Sequence, residues 1–146
     1  MSIQFISLIL ASYLLGSVPA AYLAARLSRG IDIRLYGSGN VGFSNLAKFT
    51  SKTVAIPVFV FDLAKGMAMV LLARLLGLGT VQQVIIGLAA IIGHNWSVFL
   101  RFSGGRGILT ALGVILVLAP WLALILLAIA LIFALFHQIA RNLTSS

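Results

Sequence analysis

The chain contains no cysteine and only two acidic residues, Asp32 and Asp62, and 8% of its 146 residues are charged. Without cysteine there are no disulfides, no cysteine-based zinc sites and no thiol nucleophile. With two acids so far apart in sequence there is no local carboxylate pair of the kind that shares general acid and base roles. No metal-ligand cluster and no serine–histidine–aspartate spacing is visible either, so nothing in the sequence calls for a metal or any other cofactor. Proline is scarce, at three residues. No repeat, heptad array or low-complexity tract occurs.

What fills the chain is hydrocarbon. Hydrophobic residues make up 62% of it, more than a soluble domain of this length could hide. Apolar runs fall at about 3–25, 54–76, 81–100, 107–119 and 121–139. About 20 apolar residues cross the hydrocarbon core of a bilayer. The stretch 107–139 is too long for one span and carries Pro120, which predicts a break there. The fold class expected is therefore an all-α integral membrane protein, a single transmembrane domain over 1–146 with about five transmembrane helices or half-helices. The first run is longer than a signal-peptide core and lacks a basic leader, so it reads as a retained span. The small residues 16-GS-17 followed by Pro19 suggest close helix packing with a kink.

The net charge of +8 would in a soluble protein suggest nucleic acid. Placement gives a plainer account. Arg26, Arg29, Arg34, Lys48, Lys52, Arg101, Arg106 and Arg141 all fall on one side if the amino terminus is outside and the carboxyl terminus cytoplasmic. This is the positive-inside bias, and it puts loops 26–53 and 101–106 in the cytoplasm. Anionic membrane lipids then add to the attraction, and no nucleic acid is needed.

Those two loops carry nearly all the polar chemistry. In 34-RLYGSGNVGFSNLAK-48, Gly37, Gly39 and Gly42 allow backbone amides to approach a ligand. Ser38, Asn40, Ser44 and Asn45 add neutral donors, with Arg34 and Lys48 at the ends. Such turns form anion-binding nests, and the pattern suits phosphate. It does not follow the Walker spacing, and a solvated loop beside topology-marking cations would look similar. The second island, 101-RFSGGRGILT-110, repeats the theme. Gly104, Gly105 and Gly107 flank Arg106, whose guanidinium fork can grip phosphate oxygens, and Thr110 falls on the first turn of the next helix. Two such loops suggest two phosphorylated substrates, or one phosphate passing between them.

Three further features sit at or near span ends. His94, in 93-GHNW-96, is a candidate base or hydrogen-bond donor, or a structural interfacial residue. Asp62 and Lys65, in 62-DLAK-65, share a helix face and can neutralise one another; the reading preferred is that they brace the polar site. Trp96 and Trp121 suit the aromatic belts, and His137 the interface.

The runs 34-RLYGSGNVGFSNLAK-48, 61-FDLAKG-66, 93-GHNWSVF-99 and 102-FSGGRGILTALG-113 together resemble the bacterial acyl-phosphate-dependent glycerol-3-phosphate acyltransferases, the PlsY family. The resemblance implies a multi-pass enzyme of the bacterial inner membrane that acts in phospholipid synthesis. Its implied reaction moves an acyl group from acyl-phosphate to the 1-hydroxyl of glycerol 3-phosphate, giving lysophosphatidic acid and phosphate without a cofactor. Carried over by position, Arg34, Ser38, Asn40, Ser44, Asn45 and Lys48 lie in a first phosphate loop, Gly104 to Gly107 in a second, and His94 close by. With protein bases scarce, a substrate phosphate oxygen is the hypothesised proton acceptor, and Ser38 and Arg106 are expected to matter more than His94. Phe43-Ser44 stand where the family has Ala-Thr, and Ser103 to Arg106 where it has Lys-Gly-Gly-Lys. Relatives also continue past 141-RNLTSS-146 with a third serine-containing motif, so the carboxyl-terminal portion is expected to be lacking. Three readings stay open: the acyltransferase, completed by a homo-oligomeric or complementing subunit; half of a split enzyme; or a truncated, non-catalytic binder of phosphate or lipid headgroups.

Overall fold

A computed structural model describes residues 2–144; Ser145 and Ser146 of the polar tail lie outside the described residues. The fold is helical, with no strand among the described residues. Helix α1 (Ile3–Ser17) begins where the Ser2 hydroxyl accepts from the Phe5 amide at 3.3 Å. It stops because Pro19 follows: the residue before a proline is pushed out of the α region, and Val18 sits at ψ 114°. Helix α2 (Ala20–Arg29) resumes the path and ends at Gly30, whose φ of +68° is a left-handed cap. Together they form one apolar stretch of 27 residues, Ile3–Arg29.

Helix α3 (Phe43–Phe49) is short and lies in the first polar loop, and α4 (Lys52–Leu75) follows at once. Helix α5 (Thr80–Asn95) ends earlier than the 81–100 run suggests, because the chain tightens into a 3₁₀ turn at Val98–Leu100. Helix α6 (Ile108–Leu118) and α7 (Pro120–Thr144) meet at a corner on Ala119, with Pro120 at the first helical position, where its missing N–H is not needed. Helix α7 runs past the 121–139 stretch. Among the described residues four stretches are long and apolar enough to cross a bilayer, and α6 is a shorter apolar helix. The protein is an integral, multi-helix membrane protein.

Helices pack α1 on α5 and α4 on α6, with α4, α5 and α6 meeting at the centre; α7 leans mainly on α6. Because lipid is as apolar as leucine, close backbone approach and polar ties must hold such helices together. A Cβ on Gly93 would overlap Tyr13 O, and one on Gly16 would overlap Ala90 O, so these glycines set the α1–α5 spacing. Ser12 Oγ donates to Ile86 O at 2.7 Å, and Tyr13 OH to Trp96 O at 2.8 Å, across the same interface. Between α4 and α6, Gly66 sits against Thr110 O and Gly113 against Leu63 O. Gly66→Ala is therefore expected to lower stability by about 1–3 kcal/mol, because neither backbone can give way locally. A thermal-unfolding midpoint in detergent that did not fall would contradict the contact.

At the end of the bundle away from the two polar loops, Arg74 Nη2 donates to Val117 O at 2.7 Å, and its Nε to Gln83 Oε1 at 3.3 Å. A cation on the last carbonyls of α6 complements that helix end. The polar loops are anchored differently. Ile33, Val41 and Leu46 bury against Ala21, Ala25, Ala55 and Val58, so the glycine-rich segment is pinned by apolar side chains to α2 and α4.

Candidate functional site

The first loop holds its shape by spending most of its own polar groups. Asp32 accepts from the Arg34 amide at 3.1 Å and grips the Arg34 guanidinium through contacts of 2.6, 2.9 and 3.2 Å. The hydrogen bond from the Arg34 side chain holds the Asp32 carboxyl down at about 2, and the same bond raises Arg34 above its ordinary value. Arg34 also lies 5.1 Å above the Tyr22 ring.

Asn45 is buried inside the turn. Its Nδ2 donates to Tyr36 O at 3.0 Å, Asn40 O at 3.1 Å and Ile33 O at 3.3 Å, and its Oδ1 accepts from the Ser38 amide at 3.2 Å. Gly37, at φ +55°, and Gly39, at φ +71°, let the chain wrap this side chain; a Cβ on Gly37 would meet Asn45 Oδ1 and the Phe49 ring. Arg34 and Asn45, both expected to bind substrate, are thus engaged within the loop. Ser38 and Lys48 are exposed on its outer side, and Ser38 Oγ accepts from the Asn40 amide at 3.4 Å.

The second loop lies against the end of α5. Gly105 N donates to His94 O at 3.0 Å, and side chains on Gly104 or Gly105 would collide with the His94 and Asn95 carbonyls or with His94 Nε2. Just before them, Arg101 and Phe102 take left-handed backbone angles, φ 55° and 62°, a conformation that costs non-glycine residues energy and needs support from neighbouring structure. Gly107, at φ +69°, starts α6. Thr110 is fully buried and donates to Asp62 O at 3.1 Å, so it ties α6 to α4 and lies outside the cavity.

Between the loops opens a cavity of about 210 Å³. Asn40, Gly42 and Ser44 form one wall, Arg106 and Gly107 the other, and Asp62 and His94 line it from α4 and α5; Phe43, Ile108 and Leu109 complete the lining. The structure thus brings together seven of the residues singled out in the sequence, including two of the three catalytic candidates. Ser38, the third, does not line it.

Beside the cavity, Lys65 Nζ lies 2.8 Å from Asp62 Oδ1, and both side chains are buried. Lys65 also donates to Val18 O at 3.4 Å, at the α1–α2 break, and lies 5.7 Å from the Phe61 ring centroid. His94 Nδ1 is 3.5 Å from the same Asp62 oxygen, which leaves Nε2 toward Gly105. The same Asp62 oxygen therefore stands beside both the Lys65 ammonium and the His94 imidazole. Sequence reasoning missed that link, and the apolar wall from Ile108 and Leu109, because both depend on which helices meet.

The charge balance follows. Lys65 answers Asp62 and Arg34 answers Asp32, while among the described residues no hydrogen bond or ion pair occupies Arg106. The cavity therefore presents the Arg106 guanidinium, unpaired among the described residues, the Ser44 hydroxyl and the Asn40 amide to whatever enters. Such a site favours an anion with several oxygens. Among the described residues, no group of three histidine or acidic side chains converges to hold a metal.

Residues 6–144 match the profile of the glycerol-3-phosphate acyltransferase family. Glycerol-3-phosphate acyltransferase 5 of Dehalococcoides mccartyi is 56% identical over 140 residues, covering 96% of this chain and 60% of the relative. The Thermoanaerobacter glycerol-3-phosphate acyltransferase is 45% identical over 118 residues, 81% of this chain and 59% of its own. The crystal structure of PlsY, an integral membrane glycerol 3-phosphate acyltransferase, in its glycerol 3-phosphate form superposes with a TM-score of 0.85 at 36% identity, over 91% of this chain and 66% of that one. Its lysophosphatidic acid form gives 0.74 over 84% and 60%. The chain spans about 60% of the length of these curated relatives.

Proposed function

The chain belongs to the glycerol-3-phosphate acyltransferase family, and from that premise we propose that it moves an acyl group from acyl-phosphate to the 1-hydroxyl of glycerol 3-phosphate. The products are lysophosphatidic acid and inorganic phosphate. The observation that carries this reading is the cavity lined by Arg106, which has no hydrogen bond or ion pair among the described residues, together with Ser44, Asn40 and the His94–Asp62 pair.

The chemistry suits what the cavity offers. An acyl-phosphate is already activated, so the protein must position two anionic headgroups and stabilise negative charge. The hydroxyl oxygen of glycerol 3-phosphate bonds to the acyl carbon, the acyl carbon–oxygen bond to phosphate breaks, and the electron pair leaves with the phosphate. The hydroxyl proton passes to a phosphate oxygen, so no protein base need be consumed. Arg106 grips the departing phosphate, Ser44 and Asn40 donate to the same oxygens, and His94 is held in place by Asp62. The site lies at the basic end of the bundle, and the charge bias supports an orientation with that end in the cytoplasm of a bacterial cell, the chain seated in the inner membrane.

The test is direct. Purified protein in phospholipid bilayers, given synthetic acyl-phosphate and radiolabelled glycerol 3-phosphate, is expected to form labelled lysophosphatidic acid and one phosphate per turnover. Uptake of either headgroup without product would reject the transferase and leave a membrane protein that binds phosphoesters.

A further inference from the structure

One wall of the polar cavity is aromatic. Phe43, the first residue of α3, lines it between Gly42 and Ser44. Its ring meets that of Phe59 on α4 edge-on, with centroids 5.1 Å apart and planes at 70°, a favoured arrangement for two aromatic side chains. The helix that carries it is also fixed: Asn45 and Leu46 are 1% and 0% exposed, and the Leu46 amide donates to Gly42 O at 3.1 Å. Moving the ring out of the wall means giving up Phe59 or shifting α3 with the loop that Asn45 holds. Arg106, Gly107 and Ile108 also line a second, apolar cavity of about 400 Å³, whereas Phe43 belongs to the polar cavity alone.

We propose that Phe43 sets the length of the acceptor: it leaves room for a three-carbon polyol phosphate and rejects longer ones. The inference rests on the acyl-transfer reading above and adds which side chain selects the acceptor. Of the two substrates, the acyl-phosphate brings a phosphate and a carbonyl into the polar cavity, and these are the same whatever acyl group is carried. The acceptor has what remains of about 210 Å³, the share of roughly seven waters in the liquid. Its hydroxyls find partners in Ser44, Asn40 and His94. Against Phe43 a hydroxyl finds none and still loses its water, which is costly. An acceptor one CHOH unit longer is thus rejected twice, by bulk against a supported ring and by an unpaired hydroxyl.

The test compares acceptors, using the full chain in phospholipid bilayers with synthetic acyl-phosphate. Glycerol 3-phosphate and erythritol 4-phosphate, one CHOH unit longer, are supplied separately, and the ratio of their kcat/KM values is read. The parent is expected to favour the shorter acceptor by about tenfold or more, and Phe43→Ala to shrink that ratio by a similar factor, the scale of one added group in a fitted pocket. The change should come from faster use of the longer acceptor. Phe59→Leu, which removes the support of the ring and leaves Phe43 in place, should shrink the ratio less. Phe49→Leu is the control: that ring packs on Tyr36, 5.6 Å away, and does not line the cavity, so the ratio should hold even where the rate falls. Should Phe43→Ala fail to fold, Phe43→Leu and Phe59→Leu carry the same comparison. A purely structural Phe43 would lower both rates alike and leave the ratio unchanged, which overturns the proposal, as does a parent that uses both acceptors equally. Calorimetric binding of a short-chain, non-hydrolysable acyl-phosphonate should be the same in the parent and in Phe43→Ala; a large change would assign Phe43 to the donor instead. If either acceptor is acylated while the ratio ignores position 43, the acceptor assignment alone falls; if neither is acylated, the acyl-transfer reading falls with it.

Discussion

Arg106→Gln is expected to lower turnover of acyl-phosphate and glycerol 3-phosphate by about a hundredfold or more, the scale seen when one preorganised donor is removed from a developing anion. The guanidinium lines both cavities, and no group within the described residues competes for it. Its loss would therefore not be compensated from inside the fold. The loss should fall mainly on kcat, because the phosphate gains charge as it leaves. Arg106→Lys should recover part of the rate, since it keeps the charge and loses the two-pronged geometry. Ser38→Ala is a useful contrast. The family resemblance sets Ser38 beside Arg106 as an expectation, yet its hydroxyl is exposed, lies outside the cavity and, among the described residues, accepts from the Asn40 amide at 3.4 Å. Its effect is expected to pass through the loop and to stay within about fivefold, as for loss of one ordinary hydrogen bond. Steady-state rates of the three variants in bilayers decide the matter. If Ser38→Ala equals or exceeds Arg106→Gln, the anion is held by the outer face of the first loop and the cavity assignment is wrong.

The helical membrane class was legible because the hydrocarbon runs leave no other solvent than lipid, and Gly16, Ser17 and Pro19 signalled both the close packing and the break at Val18. The polar islands were legible as well, since Ser44, Asn40 and Arg106 are conspicuous against so apolar a background. Which members of the islands face the cavity was not. Asn45 reads as one more free donor until the fold shows three carbonyls around its amide. Arg34 reads as a phosphate ligand, although Asp32 two residues earlier was a local signal that its charge could be answered within the loop. The Asp62–His94 contact joins residues on different helices, and no spacing rule brings them together. Thr110 reads as a donor at the start of α6 and is instead bonded to the carbonyl of Asp62. In each case the side chain is engaged by neighbouring groups of the fold, which the residue type alone does not reveal.

The buried pair beside the cavity gives the second large effect. Asp62 and Lys65 are 1% and 2% exposed, and their charged atoms lie 2.8 Å apart. Removing one partner strands the other charge in a low-dielectric interior, and Lys65→Met is expected to cost about 3–5 kcal/mol. Asp62→Asn/Lys65→Met together should cost far less, since no unpaired charge remains and the volumes change little. The difference between the double variant and the two singles, read from unfolding midpoints in one detergent, measures the coupling. Activity should part from stability here. With both charges gone the helices can still pack, but His94 loses the carboxylate 3.5 Å from its Nδ1 and with it a fixed ring orientation facing Gly105. A double variant that is folded, binds the short acyl-phosphonate and turns over slowly would assign Asp62 to positioning the imidazole as well as to balancing Lys65. A double variant as active as the parent would reduce Asp62 to a counter-ion, and would show that His94 needs no fixed orientation for transfer.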